Sequence, residues 1–234
     1  MRIRFEFYKE EAARFLSQLD VVRLFERAAR RAALPIVYTQ GYNPHPKISF
    51  GPALAVGIAG KRECVDWEFE VPVDVERAVM DLDAQMPCGM GIRDGKEVPV
   101  GSPSINAVVK RGEYIISCRL KDSLSPEEVE KAAAKILAQE EIPIKKRTKR
   151  GMEIKNIRPG IYTLEGKLNG NILTIKALLE LSPSGSVSPY AVLVAVLEEL
   201  GDLGEQESLN IVRTGIFALH RGKLLTPMEI LALE

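Results

Sequence analysis

The chain has 234 residues, of which 46% are hydrophobic and 27% are charged, and its 32 Lys/Arg balance 32 Asp/Glu. This composition is typical of a globular chain with one large or two small domains, and it excludes a uniformly polyanion-binding surface. The sequence has no 18-residue apolar run, no signal-peptide core at its N-terminus and no CxxC pair among its three cysteines. We therefore expect a cytoplasmic protein without a membrane span, metal site or cofactor.

The charge is unevenly distributed along the chain. Residues 1–50 hold nine Lys/Arg and five Asp/Glu, and residues 142–160 hold seven Lys/Arg and one Asp/Glu. Local patches steer ligands even where the total charge cancels, so these two segments are the first places to look for an anionic partner.

The first half of the chain alternates between strand and helix patterns. Ile3, Phe5 and Phe7 alternate with charged residues, which predicts a half-buried strand, and Ser17 with Asp20 has the spacing of a helix N-terminal cap. Further elements predicted here are strands at 35–40, 65–71 and 88–93, and a helix that begins after Asp74. The order β-α-β-β-α-β predicts a ferredoxin-like domain.

The second half repeats this pattern without visible sequence identity. Asn169-Gly170 is a strong hairpin signal, and Ser125-Pro126 and Ser188-Pro189 open helices. Strands are predicted at 114–120, 157–168, 171–181 and 210–219. We therefore predict an α+β protein with two tandem ferredoxin-like (βαββαβ) domains and antiparallel sheets. The domains span 1–95 and 113–219, with a linker at 96–112 and a short helical tail at 220–234.

The first candidate binding feature is a row of arginines on the helix that Ser17 caps. At 100° per residue, Arg23, Arg27, Arg30 and Arg31 share the arc opposite the apolar one. Guanidinium groups can each contact a phosphate with two hydrogen bonds, so the row suits an RNA backbone. A solvated face of an ordinary amphipathic helix is the alternative.

The second candidate is the loop that follows this helix. Pro44 and Pro46 fix their own φ angles and hold Asn43 and His45 extended, so the backbone is stiff before any ligand binds. The side chains that this loop would present are Gln40, Tyr42, Asn43, His45 and Lys47. Recognition is one interpretation, and a rigid connection between strands is the other.

The third candidate is the densest basic run, which we expect to be a loop at 145–151. Its cations are Lys145, Lys146, Arg147, Lys149 and Arg150. Neutralising several phosphates would give RNA binding a steep salt dependence, whereas a plain solvated loop would not bind at all.

The sheet of the first domain is an unsuitable surface for stacked RNA bases. The face opposite Phe5 carries Arg4 and Glu6, and the face opposite Trp67 carries Asp66 and Glu68. Since the first and third strands of a ferredoxin-like sheet are neighbours, we predict cross-strand ion pairs between these rows. RNA would then contact loops and helices.

Catalytic signals are few. The histidines are His45 and His220, and no P-loop, HExxH, GxSxG or dinucleotide fingerprint is present. His45 is the candidate general acid of an RNA-cleaving reaction, and His220 is predicted to be a surface residue.

The segments RFLSQLD, RLFERAARRAALPIVYTQGYNPHPKISFG and ALAVGI resemble the radical-SAM-linked family, a bacterial family of unknown function. The resemblance is specific over roughly 12–60 and weaker at the segments KRTKRG, NIRPGI and IVRTGI. Arg158, in NIRPGI, is a further candidate for contact with RNA or the partner. Members usually carry His, Ser and Phe where this chain has Gln18, Thr39 and Tyr42. The resemblance implies a companion of a radical-SAM protein.

Three functions are compatible with these signals. The first is a non-catalytic accessory protein that binds structured RNA (tRNA or rRNA) and acts with a radical-SAM enzyme. The second is a metal-independent endoribonuclease that uses His45. The third is a protein–protein adaptor for the radical-SAM enzyme, without RNA contact. The sequence specifies neither the RNA nor the oligomeric state.

Overall fold

A computed structural model describes residues 1–122, 124–148, 151–182, 185–201 and 204–233, without the side chains of 146–148 and 206–207. The protein belongs to the α+β class, as the sequence predicts, and every strand pair with a described register is antiparallel. The chain divides into unit 1, made of Met1–Lys110 and Arg213–Glu234, and unit 2, made of Arg111–Val212.

Unit 1 contains both ends of the chain. Its strands are β1 (Arg2–Lys9), β2 (Ile48–Phe50), β3 (Ile58–Glu68), β4 (Met90–Glu97), the later part of β11 (Glu205–His220) and β12 (Lys223–Leu225). Its helices are α1 (Gln18–Arg31), α2 (Val75–Asp83), α3 (Ile105–Val108) and α6 (Pro227–Ile230). The strand order is β11-β3-β1-β4, with β2 also paired to β3 and β12 to β11.

One face of the unit 1 sheet forms an aromatic core. Ile3, Phe5 and Phe7 on β1 are buried together with Trp67 on β3 and Phe25 on α1. The Phe5 and Trp67 ring centroids lie 5.6 Å apart and those of Phe7 and Phe25 lie 5.0 Å apart, both edge to face. Such pairs stabilise a core beyond the area that they bury. The half-buried strand predicted at Ile3–Phe7 therefore packs its apolar residues as expected.

The opposite face of this sheet is also buried, and it holds charges. Arg4 forms two hydrogen bonds with Asp66 across β1 and β3, so the predicted cross-strand pairing is confirmed at this position. A second pair joins Arg213 on β11 to Glu63 on β3, with Nε–Oε1 and Nη2–Oε2 distances of 2.8 and 2.6 Å. The C-terminal segment covers this face at Arg4, which also donates a hydrogen bond to the Pro227 carbonyl.

Unit 2 has its own sheet and helices. The strands are β5 (Val109–Arg119, which begins at the end of unit 1), β6 (Pro143–Thr148), β7 (Gly151–Asn156), β8 (Ile161–Asn169), β9 (Ile172–Ser182), β10 (Gly185–Ser186) and the first part of β11. The helices are α4 (Pro126–Ala138) and α5 (Pro189–Leu200). The strand order is β10-β9-β5-β11, with β8 also paired to β9, and β6 with β7 forms a separate hairpin.

Local signals account for most boundaries of unit 2. A capping box joins Ser125 and Glu128 at the start of α4. Gly170 has a φ of +58° in the β8–β9 turn, and Gly201 has a φ of +70° where α5 ends. Glycine adopts these left-handed angles without a steric penalty, so the predicted hairpin and helix end are both confirmed.

Two predicted elements differ in the structure. Residues 35–40 form only isolated bridges, from Ile36 to Phe69 and from Tyr38 to Pro46, and β2 lies later in the chain. The ladder ends at the Tyr38–Pro46 bridge because the His45 N–H donates to the Thr39 side-chain oxygen, where a regular ladder would use the Thr39 carbonyl. The segment 96–112 holds α3 and the start of β5 where the sequence suggests a linker, and Val98 and Ile105 are buried.

The C-terminal segment differs from the expected tail as well. Residues 213–234 belong to unit 1, in which Met228 is buried and its carbonyl accepts a hydrogen bond from Lys96. The helix predicted after Thr226 is present as α6, with a capping box between Thr226 and Glu229. No helix among the described residues is long and apolar enough to span a bilayer.

Candidate nucleic-acid interface

The candidate interface is built on α1 of unit 1. Ser17 Oγ accepts from the Asp20 N–H, and the Asp20 carboxylate accepts from the Ser17 N–H at 3.1 Å, which completes a capping box. Hydrogen bonds from Ser17 lower the pKa of Asp20, so this carboxylate is ionised at neutral pH. The cap predicted from the sequence is confirmed, and it fixes where the helix begins.

The buried face of α1 determines where the arginines point. Val21, Phe25 and Ala28 are buried against the aromatic core. The four arginines of the helix, Arg23, Arg27, Arg30 and Arg31, are all exposed, as the helical periodicity predicts.

These arginines have different surroundings. Arg31 donates from Nε to Gln85 Oε1 at 3.2 Å and from Nη2 to the Gln85 carbonyl at 2.7 Å, so its guanidinium is held in place. Arg30 donates to the Glu26 carbonyl one turn earlier. Arg23 and Arg27 form no hydrogen bond or ion pair with any described residue. Two of the four cations are thus open to a ligand, and a third has a fixed orientation.

An open groove of about 530 Å³ runs beside this row of arginines. It is lined by Leu16, Asp20, Arg23, Leu24, Arg27, Arg31, Gln85, Met86 and Pro87. Its second wall, at Gln85–Pro87, was not identified from the sequence. Only the fold brings the end of α2 beside α1, and no local pattern in QMP signals such a contact.

The proline-rich loop is closed at its base. The Thr39 N–H donates to the His45 carbonyl at 2.8 Å, and the His45 N–H donates to Thr39 Oγ1 at 2.9 Å. Gly41 has a φ of +134°, which favours glycine at the turn. We refer to residues 39–47 as the Pro loop.

The tip of the Pro loop is exposed to solvent. Gln40, Tyr42, Asn43, His45 and Lys47 are all exposed, and the Tyr42 ring is fully so. Lys47 pairs with Glu68 at 3.1 Å, so one of these five side chains already has a partner.

The Pro loop lies against the arginine helix. His45 Nδ1 is 3.8 Å from Glu26 Oε1 on α1. Glu26 is three residues after Arg23 and four before Arg30, so both arginines neighbour it on the helix surface. Two candidate sites that the sequence treats separately therefore share one surface of unit 1.

The basic run in unit 2 is part of a hairpin, whereas the sequence predicts a loop. Lys145, Lys146 and Arg147 lie on β6 and pair with β7, and the Lys145 side chain is exposed. Ladder hydrogen bonds to β7 fix this conformation against the low strand propensity of lysine. Lys149 and Arg150 lie outside the described residues.

Arg158 has a structural role where the sequence suggests a binding one. Its Nε donates to the Leu137 carbonyl at 3.1 Å and its Nη1 donates to the Ile161 carbonyl at 3.0 Å. The Leu137 carbonyl lies in the last turn of α4, where carbonyls lack helical partners. The guanidinium therefore ties the end of α4 to the start of β8.

Among the residues that the structure describes, no group of three or more His, Cys, Asp or Glu side chains is placed to hold a metal ion.

Fold and surface together define an α+β protein with a cationic helix and a stiff loop on one unit. The chain belongs to the family described as uncharacterized protein conserved in bacteria (DUF2344), whose model matches residues 2–189. A bacterial family of unknown function is what the sequence resemblance indicates. No curated protein matches the chain.

Solved structures similar to the chain have low sequence identity. A chain in the crystal structure of a Cbf5-Nop10-Gar1 complex has a TM-score of 0.51 at 12% identity, over 91% of this chain and 49% of that one. A chain in the archaeal box H/ACA sRNP Nop10-Cbf5 complex has a TM-score of 0.49 at 12% identity, over 91% and 48%. The present chain thus spans about half the length of these structures, and the first likeness indicates a shared fold.

Proposed function

We propose that the protein is a non-catalytic accessory protein that binds structured RNA, tRNA or rRNA, and acts with a radical-SAM enzyme. The observation that carries the RNA proposal is the contact between His45 and Glu26, which joins the Pro loop to the arginine helix. The combined surface offers cations for phosphates and an exposed tyrosine for a base.

The spacing of the arginines suits a phosphate backbone. Arg23 and Arg27 are four residues apart, or about 6 Å along the helix axis. Each can form two parallel hydrogen bonds with one phosphate. Tyr42 supplies an aromatic ring on which a base can stack. The unit 1 sheet itself is not available, because both of its faces are buried at Phe5 and Arg4.

The radical-SAM partner rests on the sequence resemblance over roughly 12–60. The same cationic helix would also suit an acidic surface of that enzyme, which is the adaptor function. RNA is favoured because the Pro loop, which contacts α1 through His45, adds an exposed aromatic ring to this unit.

The experiment is a salt titration of tRNA and rRNA-fragment affinity. Replacing both Arg23 and Arg27 with Ala should weaken binding and reduce the slope of log affinity against log salt by about two. The matched control is Lys61→Ala with Arg77→Ala, which removes the same charge from exposed positions outside the groove. If the wild type binds no RNA at low salt, the RNA function is disproved, and the adaptor function is supported by salt-sensitive binding of the radical-SAM enzyme.

The distance between His45 and Glu26 also favours a second function, a metal-independent endoribonuclease. A carboxylate can accept the proton of a ribose 2′-OH as its oxygen attacks the adjacent phosphate, and a neighbouring imidazole can donate a proton to the leaving 5′-oxygen as general acid. The P–O5′ bond breaks, which releases a 5′-OH and leaves a 2′,3′-cyclic phosphate. Labelled RNA incubated in EDTA distinguishes the functions. Cleavage that His45→Ala and Glu26→Gln both abolish supports the enzyme, and intact RNA supports the accessory protein.

We also propose that each unit is a ferredoxin-like domain, as the sequence predicts for 1–95 and 113–219. The support is the strand order, β2-β3-β1-β4 in unit 1 and β8-β9-β5-β11 in unit 2. In both units the order along the chain is strand, helix, two strands, helix and strand, once the β6–β7 hairpin and the two-residue β10 are taken as additions.

A further inference from the structure

We infer that the groove beside α1 takes one unpaired nucleotide of the bound RNA, with its phosphate on the arginines and its base against the apolar wall. This inference rests on the proposed RNA-binding function and adds the class of RNA: a helix with a bulged or looped-out base.

The groove has a cationic end. Arg27 and Arg31 are one turn apart near the C-terminus of α1, where the helix dipole also favours positive side chains. Gln85 already orients the Arg31 guanidinium, so little conformational entropy is lost when this group contacts a phosphate.

The groove also has an apolar side. Leu24 and Met86 are half-buried and Pro87 is exposed. The thioether of Met86 is polarisable and adapts to flat ligands. The volume, about 530 Å³, lies within the range of roughly 300–1,000 Å³ that is usual for small-molecule sites.

An anion at the start of the helix gives the groove a direction. The Asp20 carboxylate lines the groove in the first turn of α1, and hydrogen bonds from Ser17 keep its pKa low. A negative charge there repels phosphate and accepts hydrogen bonds from an amino group of a base or a hydroxyl of ribose. The phosphate of this nucleotide therefore lies toward Arg31, the base lies toward Leu24 and Asp20, and Arg23 remains for an adjacent phosphate of the RNA.

A paired base cannot enter this groove, because its faces are covered by neighbouring base pairs. A nucleotide that is already unpaired enters without the unpairing cost. We therefore expect the protein to prefer RNA with an extruded base over a continuous duplex of equal charge.

The experiment compares three hairpin RNAs of matched length: one with a single-nucleotide bulge, one fully paired, and one with an abasic bulge. Wild type should bind the first roughly fivefold more tightly than the other two, the effect of burying a modest apolar area. Met86→Gln should remove this preference without changing affinity for the paired hairpin, and Met86→Leu should keep it. Met80→Gln, at an exposed position of α2, is the matched control.

The outcomes distinguish a failure of this inference from a failure of the proposed RNA-binding function. If no hairpin binds at low salt, both fail. If all three bind equally, or if Met86→Gln leaves the preference intact, RNA binding stands and the nucleotide groove is disproved. A melting temperature measured for each variant identifies any loss of folding. If Met86→Gln does not fold, the wild-type affinities for the bulged and abasic hairpins decide the inference, and equal affinities disprove it.

Discussion

The guanidinium of Arg4 and the carboxylate of Asp66 form a two-hydrogen-bond pair inside unit 1, with distances of 2.7 and 2.9 Å. The two side chains are only 1% and 3% exposed. Removing both charges from water is costly, so such a pair contributes little net stability, yet breaking it leaves an uncompensated buried charge.

The first prediction concerns this pair. Asp66→Asn should lower the free energy of unfolding by about 3–5 kcal/mol, because Arg4 keeps its charge and loses its partner. Arg4→Met combined with Asp66→Leu should cost much less. Lys47→Ala, which breaks an exposed pair, should change stability by no more than about 1 kcal/mol. Urea denaturation measures all three, and equal losses for the single and double variants would contradict the argument.

The second prediction concerns the C-terminal segment. Deleting residues 221–234 removes buried Met228 and leaves Arg4 Nη1 without the Pro227 carbonyl that accepts from it at 3.0 Å. Loss of the Met228 side chain alone should cost about 2–5 kcal/mol. Deleting only 232–234 is the control, since Ala232 and Leu233 are exposed. Similar melting temperatures for both truncations would show that the segment is a dispensable tail.

The third prediction concerns pH and the buried Lys9. Burial lowers the pKa of Lys9 from its ordinary 10.5, Glu63 raises it and Arg213 lowers it further. Between the folded-state pKa and 10.5 the unfolded chain binds the extra proton, so folding stability rises with pH. This gain in folding stability is fully present above pH 10.5, and it is lost as the pH falls through the folded-state pKa of Lys9. The stability of wild type relative to Lys9→Met should therefore increase as pH approaches 10.5. A difference that stays constant with pH would contradict this.

The fourth prediction concerns the Pro loop. His45→Ala should change stability by no more than about 0.5 kcal/mol, since the side chain is exposed, but it should weaken RNA binding. Thr39→Val removes the hydroxyl that accepts from the His45 N–H and should also weaken binding, although the five exposed side chains at the loop tip are kept. Thr163→Val on unit 2 is the control. A large drop in melting temperature for His45→Ala without a binding defect would show a structural role instead.

The fifth prediction concerns the basic hairpin of unit 2. If it contacts the same RNA, replacing Lys145, Lys146 and Arg147 with Ala should lower the salt slope by up to about three. An unchanged salt slope would show that the hairpin does not contact the RNA. The control replaces three exposed lysines elsewhere on unit 2. They are Lys131, Lys167 and Lys176.

Features set by neighbours in sequence were predictable. The Ser17 and Ser125 caps and the Asn169-Gly170 turn each depend on hydrogen bonds or angles within a few residues. The Arg4–Asp66 pairing was predictable too, because strand alternation and strand order together place these residues opposite each other.

Features that depend on distant residues were not predictable. Arg213 pairs with Glu63 across 150 positions, and neither residue stands out in its local sequence. The local sequence suggests that Arg158 is a surface cation, whereas in the structure it donates to the Leu137 carbonyl at the end of α4. The second wall of the groove likewise exists only because Gln85 meets Arg31 across 54 positions.

The division of unit 1 between the two ends of the chain has a consequence for synthesis on the ribosome. Domains usually fold in order from the N-terminus as they emerge. Here all of unit 2, Arg111–Val212, is translated before Arg213 can reach Glu63. Until then, Glu63 in the part of unit 1 that is made first lacks its partner Arg213. A prematurely terminated chain therefore never completes this pair, and its instability makes it a target for proteolysis.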